Sequence, residues 1–272
     1  MFIDFDHQAN SSNFFMKRLS TLQEQGELDE RGERGLAALR DPAHPIWIDL
    51  VKKDLALRDI IIPISEGLDL VKSSYRLNRL DAEIHVNFPD PSAVMKNHID
   101  TVSSKYNYII IDNPPSLSSA VACAYMAMDI VVAPSEADIF SIEALSESLQ
   151  QLELMNKRFK RRPQLRCVIN KYENRRKSHG ECLLEINSLY KDYMIPHSIR
   201  ASADVQAALL DGLTVYELGK KSEVASDIDQ VLKSLLGFSE SNTLHKKQNA
   251  RPTTSMVARS ETLRQSEVEN EA

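Results

Sequence analysis

Aspartates that follow short apolar runs are the residues in this chain whose types and spacing best suit chemistry. The run Tyr108–Ile111 ends at Asp112, and two prolines follow, so the chain neither continues the strand nor enters a helix at once. Such a run is typical of a strand buried on both faces of a parallel sheet. Open α/β sheets bind ligands at the carboxyl ends of their strands, so Asp112 is a candidate Mg²⁺ ligand beside phosphate groups. The alternative is a strand that simply ends in a capping aspartate.

The first residues of the chain repeat this pattern. Asp4 and Asp6 are two residues apart at the end of another apolar segment, so on a strand both would point to the same face. Two like charges this close repel each other unless a cation or a polar partner compensates them. We therefore predict a cation site here as well, and the alternative is a solvated strand end.

The elements that must position these acids follow an alternating order of strands and helices. This order predicts an α/β fold, with a doubly wound, mostly parallel sheet flanked by helices. Residues 20–45 are charged and loosely patterned, which indicates exposed helix and loop, and Ser141 is predicted to cap a long helix. The further predicted strands are Asp59–Ile64 and Leu68–Val71 as a hairpin, buried strands at 129–134 and 165–169, and a last strand from Ile195.

Composition indicates one large domain with a polar tail. Of the 272 residues, 42% are hydrophobic and 26% are charged, as in ordinary globular proteins. Polar and charged residues dominate from Phe238 onward, so we predict a folded domain over residues 1–237 and a disordered tail over 238–272. The net charge of −6 excludes nucleic-acid binding through overall charge and leaves only local basic patches. The three cysteines show no metal or disulfide spacing, which favours a reducing cytoplasm, and no apolar run reaches the roughly 18 residues of a membrane span.

Four segments of the chain resemble motifs of the ParA/Soj/MinD ATPases, most closely those of the plasmid and chromosome partition members, and they occur in the same order as in that family. Residues 1–10 resemble the family's IDxDPQxN motif, and residues 106–116 resemble its YDxIxIDxPPS segment, which holds the Walker B aspartate. Residues 59–71 resemble the hairpin region between them. Residues 195–202, followed by 211–216, resemble the IPRSVRLSE and GKPVxEYD stretches. Each match is weak alone, but their common order and spacing are specific.

The family's phosphate-binding loop, of the form KGGxGKT, has no counterpart among these residues. In the family this loop lies upstream of the IDxDPQxN strand, whereas only three residues precede Asp4 here, and no Gly-rich segment followed by Lys and Ser or Thr occurs in the 272 residues. The resemblance thus implies a P-loop NTPase-like fold that lacks the first strand, the P-loop and the first helix. Because that loop cradles the phosphates, the sequence leaves open whether the chain hydrolyses ATP.

The resemblance also implies roles for the acids. Asp6 matches the family aspartate that positions and polarises the attacking water, and Asp4 and Asp112 match acids that serve the Mg²⁺ shell beside ATP. His7 stands where the family has proline, and Asn113 stands where it often has Cys or Thr. The alternative is that these acids are relics on a scaffold that no longer hydrolyses ATP.

Other candidate binding residues lie later in the chain. Asn170 and Lys171 follow a predicted strand and are candidates for reading the adenine edge, as is the backbone near Pro196; a plain turn is the alternative for Asn170. The resemblance implies non-specific DNA contacts for basic residues at two places, because phosphate contacts need only positive charge within reach. The DNA-binding candidates are Arg175, Arg176 and Arg200. We interpret the basic run 157–162 as a solvated face.

Together these expectations describe a ParA-type partition protein that segregates plasmid or chromosomal DNA. The resemblance implies ATP-dependent homodimerisation, non-specific DNA binding, stimulation by a ParB-type partner, and a place at the nucleoid in the bacterial cytoplasm. No membrane partner is expected, because the tail lacks the basic amphipathic pattern of a membrane-targeting helix. Two alternatives remain open, a degenerate or truncated ParA-like binding module without hydrolysis and a ParA-like ATPase that positions another cargo.

Overall fold

The structure is a computed structural model, and it describes residues 1–53, 55–87, 94–115, 118–218 and 222–241. The described helices are α1 (Asn10–Gln25), α2 (Glu30–Arg40), α3 (Trp47–Lys53), α4 (Leu80–Asn87), α5 (Val94–Asp100), α6 (Ser119–Ala127), α7 (Ile139–Phe159), α8 (Lys177–Tyr190), α9 (Ala203–Asp211) and α10 (Glu223–Ser241). The described strands are β1 (Phe2–Asp4), β2 (Ile61–Ser65), β3 (Leu68–Val71), β4 (Ile110–Asp112), β5 (Ile130–Ser135) and β6 (Gln164–Ile169).

The described chain forms two compact units. The first comprises Met1–Met128 and Gln206–Glu217, and the second comprises Asp129–Val205 with the described residues from Leu218 onward. None of the helices in the described ranges has the length and apolar character that a membrane span requires. Most of the predicted tail, residues 242–272, lies outside the described residues, while α10 continues through Ser241, beyond the predicted start of that tail.

The sheet of the first unit has the strand order β2–β3–β1–β4. Strand β1 runs parallel to both of its neighbours, β3 and β4, while β2 and β3 form the predicted antiparallel hairpin. Gly67 in the hairpin turn has a φ of 73°, a left-handed conformation that favours glycine. The α/β class and the mostly parallel sheet are therefore confirmed.

The prediction of a strand buried on both faces before Asp112 was wrong. Strand β4 begins only at Ile110, whose side chain is 57% exposed, as is that of Tyr108. The reason is that β4 is the edge strand of this four-stranded sheet among the described residues, so one side of it has no neighbour. A short apolar run alone does not distinguish an edge strand from a central one.

The prediction that residues 20–45 are exposed was also wrong in part. Leu36 and Leu39 of α2 are buried in a core with the β2–β3 hairpin. Gly35 lies so close to β2 that a β-carbon there would stand 2.0 Å from the carbonyl oxygen of Pro63. The charged residues of α2 conceal this buried stripe in the sequence, because only one side of the helix contacts the sheet.

The second unit is built on a parallel pair, β5 and β6, whose register is Ile130 opposite Gln164. Residues of α7, α8 and both strands share one core. Asp138, and not Ser141, caps α7, since the Ser141 backbone N–H donates to the Asp138 side chain at 2.8 Å. The predicted last strand from Ile195 is reduced, in the described chain, to single bridges beside β6 and at Tyr172.

Candidate functional site

The sheet of the first unit brings two of the predicted acids together. Strands β1 and β4 are parallel neighbours, and their register places Asp4 directly opposite Asp112. The backbone N–H of Phe5 donates to the Asp112 carbonyl at 2.8 Å, which holds the two strand ends level. Asp6 follows two residues after Asp4, so all three acids lie at the carboxyl edge of the sheet.

Asp4 is fully buried, and both of its carboxylate oxygens accept hydrogen bonds. Its Oδ2 accepts from the Ser12 backbone N–H at 2.7 Å and from the Ser12 hydroxyl at 2.6 Å, and its Oδ1 accepts from the Asp6 N–H at 3.3 Å. Burial raises the pKa of Asp4 above its ordinary value, while the hydrogen bonds from Ser12 oppose that rise. The buried Asp4 carboxylate therefore accepts a hydrogen bond from the Ser12 N–H, which has no partner within the first turn of α1.

Asp6 and Asp112 are only partly buried, and each has an oxygen to offer. Asp112 accepts the Ser11 hydroxyl on Oδ2 at 2.6 Å, and Asp6 accepts the Gln8 backbone N–H on Oδ1 at 3.0 Å. Within the described ranges, the second oxygen of each carboxylate accepts no hydrogen bond, and neither acid is paired with Lys or Arg. Such oxygens suit Mg²⁺, which keeps several waters and takes one or two carboxylates from a protein.

The surroundings of these acids contain no cluster of metal ligands among the described residues, and the cavity near them is small. Among the described residues, no group of three or more His, Cys, Asp or Glu side chains is arranged to hold a metal ion. A cavity near the acids has a volume of about 170 Å³, below the roughly 300–1,000 Å³ of a typical ligand pocket. It is lined by Phe5, His7, Leu77, Asn78, Leu80, Pro114, Ser118 and Ala120. None of the three acids lines this cavity, which by its volume is smaller than a typical nucleotide pocket.

Sequence reasoning missed the three serines that hold the acids. Ser11 and Ser12 lie in the first turn of α1 and bond Asp112 and Asp4, while Ser73 follows β3 and donates its hydroxyl to the Asp6 carbonyl. A Ser-rich helix start after an acidic strand end was the available signal for the first two. Ser73 lies 67 residues from Asp6 in the chain, so no local pattern could reveal it.

The predicted adenine-binding residues belong to the second unit. Asn170 follows β6, and its backbone N–H donates to Ser135 at the end of β5 at 2.7 Å. Its side-chain oxygen accepts the Lys171 N–H at 3.0 Å, and Lys171 has a left-handed φ of 53°. Lys171 pairs with Glu136 at 2.6 Å, and Pro196 is exposed. Asn170 and Lys171 therefore form a tight turn at the carboxyl edge of the parallel pair, a turn that does not include Pro196.

A backbone bridge joins the two segments that contain the predicted DNA-binding arginines. Tyr172, which precedes the loop of Arg175 and Arg176, forms a parallel bridge with Arg200. Arg175 and Arg176 are both exposed, and Arg176 pairs with Glu173 at 3.2 Å. The fold thus brings the two basic segments of the sequence to one place in the second unit.

The side chain of Arg200 is held by two acids of α10. Its Nε and one terminal nitrogen donate to the two oxygens of Asp227 at 2.6 and 3.0 Å, and its other terminal nitrogen pairs with Glu223. These hydrogen bonds lower the pKa of Asp227 and raise that of Arg200. We call this group the Arg200 clamp, and in it the charge of the arginine is compensated within the protein.

Comparison with known proteins identifies the family. A family model described as an AAA domain matches residues 1–166. Three relatives are 26–29% identical to this chain: "Uncharacterized protein MJECL24" of Methanocaldococcus jannaschii, SopA of Escherichia coli K12 and Soj of Bacillus subtilis, a sporulation initiation inhibitor. The matches cover 61%, 56% and 65% of this chain and 64%, 42% and 72% of those proteins, respectively. The chain therefore spans less than two thirds of the first two relatives.

Solved structures agree on the fold. A plasmid partition protein of Borrelia burgdorferi bound to AMPPNP has a TM-score of 0.65 at 20% identity, covering 87% of this chain and 86% of that one. Apo McdA of Cyanothece has a TM-score of 0.70 at 19% identity, covering 86% of each chain. At such identities these structures support the fold, and the sequence matches support the membership. The chain belongs to the AAA domain family and, within it, to the ParA-type proteins.

Proposed function

We propose that this protein is a ParA-type partition protein that segregates plasmid or chromosomal DNA. In this proposal ATP drives homodimerisation and non-specific DNA binding, and a ParB-type partner stimulates hydrolysis at the nucleoid in the bacterial cytoplasm. One observation carries the proposal: Asp112 lies opposite Asp4, two residues before Asp6, at the carboxyl edge of a parallel sheet, and no Lys or Arg of the described chain pairs with the carboxylates of Asp6 and Asp112. The similarity to SopA, to Soj and to a partition protein bound to AMPPNP supports it.

The proposed roles follow from what each acid can reach. Asp112 would hold hydrated Mg²⁺, and Asp6 would orient and polarise a water molecule, since both are reachable from solvent. Asp4 contributes its charge to the same edge from a buried position. Mg²⁺, when bound, supplies positive charge against the phosphates. Asn170, Lys171 and the backbone at Pro196 remain the proposed adenine contacts.

The first measurement is the intact mass of the protein from its native host, which decides whether the chain of 272 residues is the form that the cell contains. A nucleotide assay of that form then tests the proposal. That form is then titrated with a fluorescent ATP analogue with and without Mg²⁺. We expect Asp112→Ala to lose the Mg²⁺ dependence of binding and Asp6→Ala to bind MgATP but lose hydrolysis. The matched control is Asp100→Ala, which removes an exposed carboxylate of α5 that pairs only with Lys96 among the described residues. No binding by the working form, or normal turnover by Asp6→Ala, would overturn the proposal.

The proposed DNA contact is a surface made by Arg175, Arg176 and Arg200. Each lost phosphate contact lowers the slope of log K against log salt by about 0.9 on duplex DNA. We expect the double variant Arg175→Ala/Arg176→Ala to lower that slope by about 2, and Arg200→Ala to lower it by about 1. The control is Lys157→Ala in the run interpreted as a solvated face, which should keep the wild-type slope. An unchanged slope for Arg200→Ala would remove Arg200 from the proposed surface and leave its charge to the pair with Asp227.

A second candidate function is a ParA-like binding module that does not hydrolyse ATP. The specific observation in its favour is that no Gly-rich segment followed by Lys and Ser or Thr occurs in the 272 residues. Such a module would bind DNA or a protein partner with the same affinity whether or not MgATP is present. DNA affinity that rises with MgATP excludes this candidate.

A further inference from the structure

We propose that Asp4, Ser12 and Ser73 form a buried hydrogen-bonded link that positions Asp6, and that Asp4 is a positioning residue and not a ligand of Mg²⁺. We call these three residues the serine link. The inference rests on the proposed function in one respect, since it takes Asp6 as the residue that orients water. It departs from the sequence prediction, which assigns Asp4 and Asp112 to the same metal shell.

Burial separates Asp4 from the other two acids. The exposed fraction of Asp4 is 0%, and its two oxygens are occupied by the N–H of Asp6 and by two donors of Ser12. A carboxylate can accept about four hydrogen bonds, but a metal ion must also reach it with its waters. No such approach exists for a side chain that is closed off from solvent on every side. Asp112 meets this requirement because it is partly exposed.

Ser12 connects Asp4 to Ser73. Its hydroxyl donates to Asp4 Oδ2 at 2.6 Å and accepts the Ser73 backbone N–H at 2.8 Å. A hydroxyl has a single O–H to donate, so its direction is fixed by Asp4. Ser12 and Ser73 are both buried, so water does not compete for these bonds.

Ser73 completes the link at the acid that the proposal makes catalytic. Its hydroxyl donates to the Asp6 carbonyl, which also accepts the Ala9 N–H at 3.0 Å. The turn from Asp6 to Ala9 is therefore held from two directions. Asp4 holds the same turn through the Asp6 N–H, so the backbone of Asp6 is fixed on both sides of its α-carbon.

A buried lysine anchors the far end of the link. Lys72, next to Ser73, is buried, and its ammonium donates to the carbonyls of Ala38 at 2.8 Å and Asp41 at 2.7 Å, at the C-terminal end of α2. A positive charge is favourable there because free carbonyls and the helix dipole face it. Ser73 therefore cannot move independently of α2 and the hairpin. The link joins three separate segments of the first unit to the Asp6 turn.

The first experiment separates a positioning role from a metal role. Thermal unfolding of wild type, Asp4→Asn and Asp112→Asn is measured with and without Mg²⁺ and ATP. We expect Asp4→Asn to lower the melting temperature by roughly 4–8 °C without ligand, because the amide keeps only one acceptor oxygen and its NH₂ group then faces either the Ser12 donors or the Asp6 N–H. It should keep the wild-type increase on adding MgATP. Asp112→Asn should lose that increase. An Asp4→Asn protein with normal ligand-free melting and no MgATP response would overturn the inference.

The second experiment uses two adjacent serines as a matched pair. Ser73→Ala removes the bond to the Asp6 carbonyl, whereas Ser74→Ala removes only a hydroxyl that accepts the Arg76 N–H at 3.3 Å. We expect Ser73→Ala to lower kcat of ATP hydrolysis at least tenfold with KM changed less than twofold, and Ser74→Ala to change neither. In the same samples, amide hydrogen exchange at Ala9 should quicken about tenfold in Ser73→Ala alone.

The outcomes of the second experiment distinguish a failure of the serine link from a failure of the proposed catalytic role of Asp6. If Ser73→Ala exchanges and hydrolyses like wild type, the serine link is refuted. If wild type does not hydrolyse ATP but Ser73→Ala still quickens exchange at Ala9, the link stands and the proposed catalytic role of Asp6 fails. If both variants lose activity equally, the effect is general and the positioning role of Ser73 is refuted.

Discussion

The first unit contains an acidic edge, formed by Asp4, Asp6 and Asp112, and the second contains the Arg200 clamp. The two regions differ in whether their aspartates are paired with a basic side chain. At the edge, Asp4 lies opposite Asp112, Asp6 follows two residues later, and in the described chain no Lys or Arg pairs with any of the three. In the clamp, Arg200 is bound by Asp227 through both carboxylate oxygens and by Glu223 through a further nitrogen. The described aspartates of the edge thus have no Lys or Arg partner, and Asp6 lies 3.4 Å from the His7 ring, whereas in the clamp aspartate is paired with arginine.

In our proposal, this difference separates acids that stabilise the fold from acids that bind a ligand. A paired carboxylate has a lowered pKa and stabilises the native state when ionised, as Asp227 does. An acid whose neighbours are other acids gains nothing from ionisation until a cation arrives, which is why such groups are candidates for binding sites. If this contrast holds, neutralising Asp112 and neutralising Asp227 should have opposite effects on the free energy of unfolding.

The largest expected effect is that of Asp227→Asn. Arg200 would lose its ionised partner, and an amide cannot accept from Nε, a terminal nitrogen and the backbone N–H together as the carboxylate does. We expect the free energy of unfolding to fall by about 2 kcal/mol in urea titrations at pH 7. The control is Glu223→Gln, which removes the more exposed acid of the clamp and should cost less than about 0.5 kcal/mol. Equal effects of the two variants would contradict the geometry of the clamp.

Asp4, Asp6 and Asp112 could be identified from the sequence as candidate site residues because the ends of strands are local features. An apolar run that stops at an aspartate is visible over a few residues, and parallel pairing then places Asp4 beside Asp112, as observed. What the sequence could not show is which acid is closed off from solvent. The burial of Asp4 depends on α1 and on Ser73, which lies far along the chain.

The same reasoning explains why Arg200 was assigned to DNA without its partners. The arginine lies in a recognisable segment, but Asp227 follows 27 residues later in a helix whose position only tertiary packing determines. The exposure of β4 was missed for a related reason, since the run before Asp112 is equally apolar whether or not a neighbouring strand is present. The residue types of both segments were thus predictable from the sequence. The acids that pair with Arg200 and the open side of β4 in the described sheet were not.

A second clamp, inside the first unit, tests whether paired acids behave alike in both units. Arg18 donates from two terminal nitrogens to Glu217 at 2.6 and 2.7 Å, and this pairing lowers the pKa of Glu217 to about 2. An acid with a lowered pKa adds stability above its unfolded value, near 4.5, and this stability is lost as the pH falls towards about 2. Because the pair is partly exposed, we expect Glu217→Gln to cost only about 1 kcal/mol at pH 7.

The pH dependence provides the check on this second clamp. Urea titrations of wild type and Glu217→Gln should differ at pH 7 and converge as the pH falls from about 4.5 to about 2. The control is Glu153→Gln, which removes an exposed acid of α7 paired loosely with Lys157 at 3.4 Å and should show no measurable difference at either pH. A difference between wild type and Glu217→Gln that persists at pH 2 would mean that packing, and not charge, carries the effect.

The smallest expected change in the free energy of unfolding is that of Asp112→Asn, and it is a gain in stability where Asp227→Asn is a loss. This difference in sign tests the contrast between the acidic edge and the Arg200 clamp. Asp112→Asn keeps an oxygen that can accept the Ser11 hydroxyl but removes a charge that contributes to the raised pKa of Asp4. An acid with a raised pKa costs stability once it ionises, so its favourable contribution is complete below its unfolded value near 3.8 and is lost as the pH rises through the folded value. At pH 7, without ligand, Asp112→Asn should therefore raise the free energy of unfolding by about 0.5 kcal/mol, and the gain should vanish near pH 3. Asp100→Asn, the exposed control, should change nothing measurable at either pH. If Asp112→Asn instead destabilises the protein as Asp227→Asn does, Asp112 is a structural acid and the acidic edge is not reserved for a cation.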